Sequence, residues 1–363
     1  MRSRVSADQL ARAFEARFPG AVSDVSAHGS GHIHDSFELS WHGKGMSKRL
    51  LVQRFNTAVF GDPQAVMQNI ARVTDHLRTK LPERRVLRLQ PTPDGAHFWQ
   101  VPGAKGSLET YRAFEFIADT QAFELAQRPE HPSQAGSAFA EFVRLLEDLP
   151  GPPLIETIPG FHDTPARLRA LSDAVARDPV GRRGRLQAEL EFVEAHAELA
   201  ATCAHGDLPL RVTHNDAKLS NLLFDARTGD ALCVVDLDTV MPGFVAYDFG
   251  DLVRTTACSI AEDAADLSGL SVREDYVEAL ARGFLAQLGP VADPERESLA
   301  LGPQLICFEL GVRFLTDYVL GDTYFAISRP EQNLERARVQ LALVERLAAK
   351  QATLRRIIFA RPS

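Results

Sequence analysis

Val212-Thr-His-Asn-Asp-Ala-Lys-Leu-Ser-Asn-Leu-Leu-Phe224, with Cys233-Val-Val-Asp-Leu-Asp238 close behind, sets an acid, an amide and a second acid on one short stretch. Asn221 lies 221 − 216 = 5 residues beyond Asp216, and Asp236 lies 236 − 216 = 20 beyond it. A phosphoryl-transfer site needs an Asp to orient the attacking hydroxyl and accept its proton, an Asn to hold Mg²⁺, and a strand-borne Asp to hold the metal on the nucleotide phosphates. Asp216, Asn221 and Asp236 fit those three roles. Asp236 also ends the apolar run from Leu232 to Val235, where an unpaired charge is costly. Asp238 stays open between a second metal ligand, a substrate hydrogen-bond acceptor and a structural acid.

Working outward, residues 211–213 and 222–224 read as short strands that flank the loop in a hairpin-like platform. Asp225 to Asp230 form a turn before a strand over 231–236. The Asp248-Phe-Gly250 triplet copies a metal-binding signature, but it lies 248 − 216 = 32 residues on, with no strand before it. It reads instead as the start of a helix, with Asp248 placed to accept hydrogen bonds from the backbone of the 214–220 loop. His214 and Lys218 are supporting residues of the same loop.

Upstream, Gly29-Ser30-Gly31 lies between two strand candidates, where glycines let backbone N–H groups approach phosphates. His28, His32 and His34 lack a convincing fourth ligand, so zinc is not expected. On the strand at 49–55, Arg54 can hold phosphates with its forked guanidinium, and Gln53 is the alternative. The acidic helix partner that would normally pair such a cation is missing: Gln68 and Asn69 stand there instead.

The chain has 363 residues, 45% hydrophobic and 24% charged, with a net charge of −8. That length suits two packed lobes, and the acidic balance argues against nucleic-acid or membrane partners. Cys203, Cys233, Cys258 and Cys307 show no paired spacing and read as free thiols. Arg2 and Arg4 precede an amphipathic segment rather than an apolar leader, and no membrane-spanning run is evident, so a cytoplasmic location is expected. Ser6 to Gln9 has capping-box form, predicting a helix to about Phe18. Strands are expected near 37–41, 49–55, 86–89, 97–101 and 108–117, and Asp62-Pro63 opens a helix between them. Helices are expected at 137–149, 164–177, 185–203 and 334–358, and residues 128–134 are expected to be a loop. The lobes divide as 1–118 and 119–363, hinged near 116–121.

With these residues in place, the chain resembles the aminoglycoside phosphotransferase and choline kinase superfamily, and most closely the N-acetylhexosamine 1-kinase group. The shared blocks are Gly29-Ser-Gly-His-Ile33, Leu51-Val-Gln-Arg-Phe-Asn56, Ile158-Pro-Gly-Phe-His-Asp163, His214-Asn-Asp-Ala-Lys218, Asp236-Leu-Asp-Thr-Val-Met-Pro-Gly243, Gly311-Val-Arg-Phe-Leu-Thr-Asp-Tyr318 and Asn333-Leu-Glu-Arg-Ala-Arg338. The resemblance implies an α+β, bilobal protein-kinase-like fold: a small antiparallel-sheet N-lobe with one helix, and a larger, mainly helical C-lobe carrying the catalytic hairpin. It implies ATP with Mg²⁺, the adenine lying against a hinge at Phe116 and Ile117. A sugar would be held over Asp216 by Arg313 and Tyr324, with Phe161, His162 and Asp163 as a further substrate-side loop. Arg313 could equally be paired internally with Glu309, four residues earlier on the same helix. The protein is expected to be a monomer or small homo-oligomer. An aminoglycoside or amino alcohol acceptor is the alternative, and a catalytically idle nucleotide-binding module is a third reading.

Overall fold

The computed structural model describes residues 5–29, 33–43, 45–103, 107–201 and 208–360. Two compact units divide the chain at Thr120 and Gln121.

In the first unit, Ser6 and Gln9 exchange the two capping-box hydrogen bonds that start α1 (Ala7–Glu15). An antiparallel sheet follows in the order β1 (Ala21–Ala27), β2 (Asp35–Gly43), β3 (Met46–Phe55), β5 (Leu108–Glu115), β4 (Trp99–Pro102). Strand periodicity sorts its side chains by face. Leu39 opposes Leu50, Phe37 opposes Val52, and Val52 opposes Ala113. This face buries against Phe14 of α1 and the stacked Phe18, whose rings lie 4.2 Å apart. The Asp62 side chain caps α2 (Pro63–Lys80) by accepting from the N–H groups of Gln64 and Ala65. Two strand expectations change. Residues 21–27, not singled out by pattern, form an edge strand; residues 86–89 contribute only a single bridge, Leu89 to Phe114.

The second unit is mainly helical: α3 (Glu130–Leu145), α4 (Thr164–Arg177), α5 (Gln187–Ala195), α6 (Val245–Thr256), α7 (Glu274–Leu288), α8 (Asp293–Val319), α9 (Gln332–Ala348) and α10 (Gln351–Phe359). Among the described residues four short strands lie between them: β6 (Arg211–Thr213), β7 (Leu222–Asp225), β8 (Ala231–Val234) and β9 (Met241–Gly243). One continuous core runs through Phe139, Phe224, Phe249, Phe284, Phe308 and Tyr318.

Here too the structure corrects several boundaries. Residues 130–134 are helix rather than loop, since Pro132 sits in the first turn of α3, where a missing N–H removes no bond. The 334–358 segment breaks into α9 and α10, and α7 was not anticipated. The 185–203 segment holds only α5 and a short 3₁₀ turn at Ala197–Ala201, and Cys203 lies outside the described residues. α8 is long and apolar enough to cross a membrane by length and composition, yet 78% of that stretch is buried inside the protein. The Asp248-Phe-Gly250 triplet lies within α6. A Cβ on Gly250 would sit 2.5 Å from the carbonyl oxygen of Gly302, so this glycine lets α6 and α8 touch backbone to backbone.

Candidate active site

β6 does not pair with β7 as the platform reading expected. It pairs with β9, Thr213 opposite Met241, while β7 and β8 form their own hairpin. The loop after β6 is therefore held by the returning chain. Asn215 adopts a left-handed backbone (φ 62°), a conformation Asn tolerates better than most residues. Its amide donates to the carbonyls of Thr239 (3.0 Å) and Met241 (3.2 Å). A Cβ on Gly243 would fall 2.4 Å from Asn215 Oδ1, so only glycine fits beside it. The backbone N–H groups of His214 and Asn215 donate to the two oxygens of Asp248, at 2.8 and 2.7 Å. Burial pushes the Asp248 carboxyl up to about 6, against the opposing pull of His214 and these two N–H groups. His214 Nε2 donates to the Val235 carbonyl at 3.0 Å, and the ring packs edge-on against Phe139.

This scaffold projects Asp216, whose side chain is 31% exposed. Lys218 Nζ donates to Asp216 Oδ2 at 2.9 Å, and Asn221 Nδ2 donates to the Asp216 carbonyl (2.8 Å) and to Oδ2 (3.2 Å). Burial would raise the Asp216 carboxyl, but Lys218 outweighs it and holds the group below the usual range. The Lys218 ammonium is in turn kept charged: burial opposes its charge, and Asp216 and Asp236 override burial.

Asp236 follows the end of β8 in a left-handed conformation (φ 62°) and is exposed. This carboxylate therefore carries no burial cost, contrary to the expectation drawn from the apolar run it ends. Its placement at a strand end, within the field of Lys218, is what supports a metal role. Asp238 is 2% exposed in the 3₁₀ turn Leu237–Thr239, and its carbonyl accepts from Thr157 Oγ1 at 2.8 Å. Among the described residues no cluster of three or more His, Cys, Asp or Glu forms a metal cage. An amide oxygen and a carboxylate are nonetheless the hard donors Mg²⁺ takes when substrate phosphates complete its shell. Asn221, whose nitrogen is committed to Asp216, has its oxygen left for that use.

A second group assembles at α8. Phe161 (4.9 Å), Phe325 (5.6 Å) and Tyr324 (5.9 Å) surround the Arg313 guanidinium. Arg313 also lies 4.0 Å from Glu309, so the internal ion pair and the aromatic wall coexist. Tyr324 is 41% exposed. Its loop is fixed by Asp317, whose carboxylate accepts from the N–H groups of Thr323, Tyr324 and Phe325 at 2.8, 2.8 and 2.9 Å. His162 differs from its expected part as a substrate contact, because both its ring nitrogens face protein atoms, Glu309 and the Asn215 carbonyl. Arg167 lies close by, its guanidinium pushed down by burial and by neighbouring Arg313.

The residues expected at the phosphates lie in the first unit. Gly29 has φ 73°, as a tight glycine turn requires, while Ser30 and Gly31 lie outside the described residues. Arg54 is corrected by strand periodicity. It faces the α1-covered side, where Nε donates to Asp35 at 2.8 Å and Nη1 to Glu109 at 3.2 Å. Gln53 faces the opposite side and accepts from Arg112 Nε at 2.9 Å. Arg112, which the sequence reading missed, is the cation bonded to Gln53 on that face. Its signal lay in β5, where pairing register puts it directly opposite Gln53. The Phe116 N–H donates to the Arg49 carbonyl at 3.0 Å, with its ring beneath the Arg49 guanidinium, and the Ile117 carbonyl accepts from Thr120.

The model of the phosphotransferase enzyme family matches residues 24–300. Among solved structures, the chain is similar to a spectinomycin phosphotransferase in complex with ADP and spectinomycin (TM-score 0.60, 12% identity, 95% of this chain and 100% of that one). It is also similar to a microcompartment-associated aminopropanol kinase (0.59, 16%, 94% and 97%) and to an amicoumacin kinase in complex with AMP-PNP, Ca²⁺ and Ami (0.56, 12%, 94% and 94%).

Proposed function

We propose that this chain, which belongs to the phosphotransferase enzyme family, transfers the γ-phosphoryl group of ATP to the anomeric hydroxyl of an N-acetylhexosamine or related hexose. The product is a sugar 1-phosphate. Asp216 orients the hydroxyl and takes its proton, and Lys218 keeps that carboxylate ionised and directed. Asn221 and Asp236 would hold Mg²⁺, with Asp238 kept as a buried support. The metal neutralises the charge that develops on the transferring phosphoryl group. In the first unit, Gln53 replaces Arg54 as the side chain proposed for the phosphates, with the buried Arg112 bonded behind it.

The Arg313 wall carries the choice of acceptor. A guanidinium ringed by Phe161, Tyr324 and Phe325, with Arg167 behind it, repels a cationic acceptor. Rings that would otherwise cage a quaternary ammonium are already engaged by Arg313. Amino alcohols and aminoglycosides are disfavoured on this ground, whereas a neutral sugar offers hydroxyl and acyl oxygens to the guanidinium donors. ADP release should be measured over a panel of N-acetylhexosamines, hexoses, amino alcohols and aminoglycosides, and the phosphorylated position identified by phosphorus NMR. Turnover should be highest with N-acetylhexosamines, at the anomeric oxygen. Turnover confined to cationic acceptors would overturn this reading.

A further inference from the structure

His162 sits between two atoms that can only accept hydrogen bonds. Nδ1 lies 2.9 Å from Glu309 Oε1, and Nε2 lies 3.0 Å from the carbonyl oxygen of Asn215. A neutral imidazole carries one N–H, so one of these contacts would then set lone pair against lone pair. Glu309 is fully buried and also accepts from Thr164 Oγ1 at 2.7 Å. Burial would raise its carboxyl, but His162 and Arg313 outweigh burial and hold it low, so a negative charge faces Nδ1.

We infer that His162 is a doubly protonated positioning residue, an imidazolium that ties the acceptor wall to the peptide bond carrying Asp216. The carbonyl it holds belongs to the Asn215–Asp216 peptide, so it fixes the plane from which the Asp216 side chain departs. Asn215 is thereby held on three sides: its N–H by Asp248, its amide by Thr239 and Met241, and its carbonyl by His162. At the other end, Glu309 is shared between His162 and Arg313. An acceptor that draws on Arg313 therefore acts on the same carboxylate that orients His162. The charged and titratable groups around the ring are Glu309 and Arg313 from α8, Tyr247 (ring 4.3 Å away) and Asp248 from α6, Arg167 from α4 and Asp163, which caps α4. Only Glu309 bonds the ring directly among the described side chains.

The inference rests on the acceptor reading above for what the device serves, but its protonation claim stands apart from turnover. Nitrogen NMR of the histidine-labelled enzyme, assigned by comparison with His162→Gln, should show both ring nitrogens of His162 protonated at the pH of maximal turnover. His162→Gln, which can donate to only one of the two acceptors, should lower kcat about tenfold, the scale of one charge-assisted hydrogen bond. ADP affinity should be unchanged. A single protonated nitrogen in the wild-type spectrum overturns the inference, whether or not the variant folds. So does a His162→Gln enzyme that keeps the wild-type kcat. If no hexose is turned over at all, the acceptor reading fails while the spectrum still decides the imidazolium.

Discussion

Asp248 in α6 and Asp317 in α8 each shape a loop by accepting backbone N–H groups: two, from His214 and Asn215, in the first case; three, from Thr323, Tyr324 and Phe325, in the second. Their surroundings differ. Asp248 is completely buried, both of its described hydrogen bonds come from backbone, and burial pushes its carboxyl up to about 6. Asp317 also accepts from Asn333 Nδ2 at 3.0 Å, and Asn333 in turn donates to Asp322, which pairs with Arg182. The two N–H groups of the catalytic loop thus share one carboxylate with a proton equilibrium at about pH 6, whereas the loop at the proposed acceptor wall hangs on a connected polar network. The first should respond to pH, the second to substitution.

The largest effect should come from the residue that the catalytic loop exists to present. Asp216→Ala removes the group proposed to take the proton, and kcat should fall by roughly 10²- to 10⁴-fold. ADP affinity by calorimetry should stay at the wild-type value. A smaller kcat loss would show that the loop around Asp248 serves some purpose other than general-base positioning.

Next in size is Asp317→Asn. Its new amide would face the Phe325 N–H and the Asn333 amide, leaving buried donors opposed, at about 1–3 kcal/mol each. The acceptor KM should rise tenfold or more and the melting temperature should fall, with the nucleotide KM unmoved. Equal changes in both KM values would break the assignment of this loop to the acceptor.

Asp248→Asn keeps one of the two loop contacts, so the loss should be milder, but the pH dependence should change. In the folded protein this carboxyl binds its proton more tightly than at its ordinary value of 3.8. Between 3.8 and about 6 the native state thus holds more protons than the unfolded chain. The stability contributed by this group falls as pH rises through that window and is flat above it. Activity should run the other way, rising through about pH 6 as the ionised form comes to accept both N–H groups. The variant should lose this acid limb in kcat, and a retained limb would assign it to another group.

The same contrast explains what could be read in the sequence. The Asp216, Lys218 and Asn221 contacts span five residues or fewer, and local spacing alone sets them. The bond from Asp248 to the 214–215 backbone could be anticipated because one helix start and one loop define it. Arg54 was misplaced because a basic residue on a strand does not announce its face. Only the pairing of β3 with β2 and β5 sends it to Asp35 and brings Arg112 to Gln53. Asp236 was picked for its position at the end of an apolar run, although the structure exposes it.

By itself the sequence determined the chemistry, because phosphoryl transfer needs particular residue types at short separations and those separations are written along the chain. The tertiary structure decided how the proposed acceptor wall meets that chemistry. Glu309 lies 147 residues from His162, and Asn215 lies 53 residues from it, and no local pattern encodes such contacts. They arise only when the buried faces of α4, α6 and α8 pack, since an anionic carboxylate closed off from water must find donors wherever the fold supplies them.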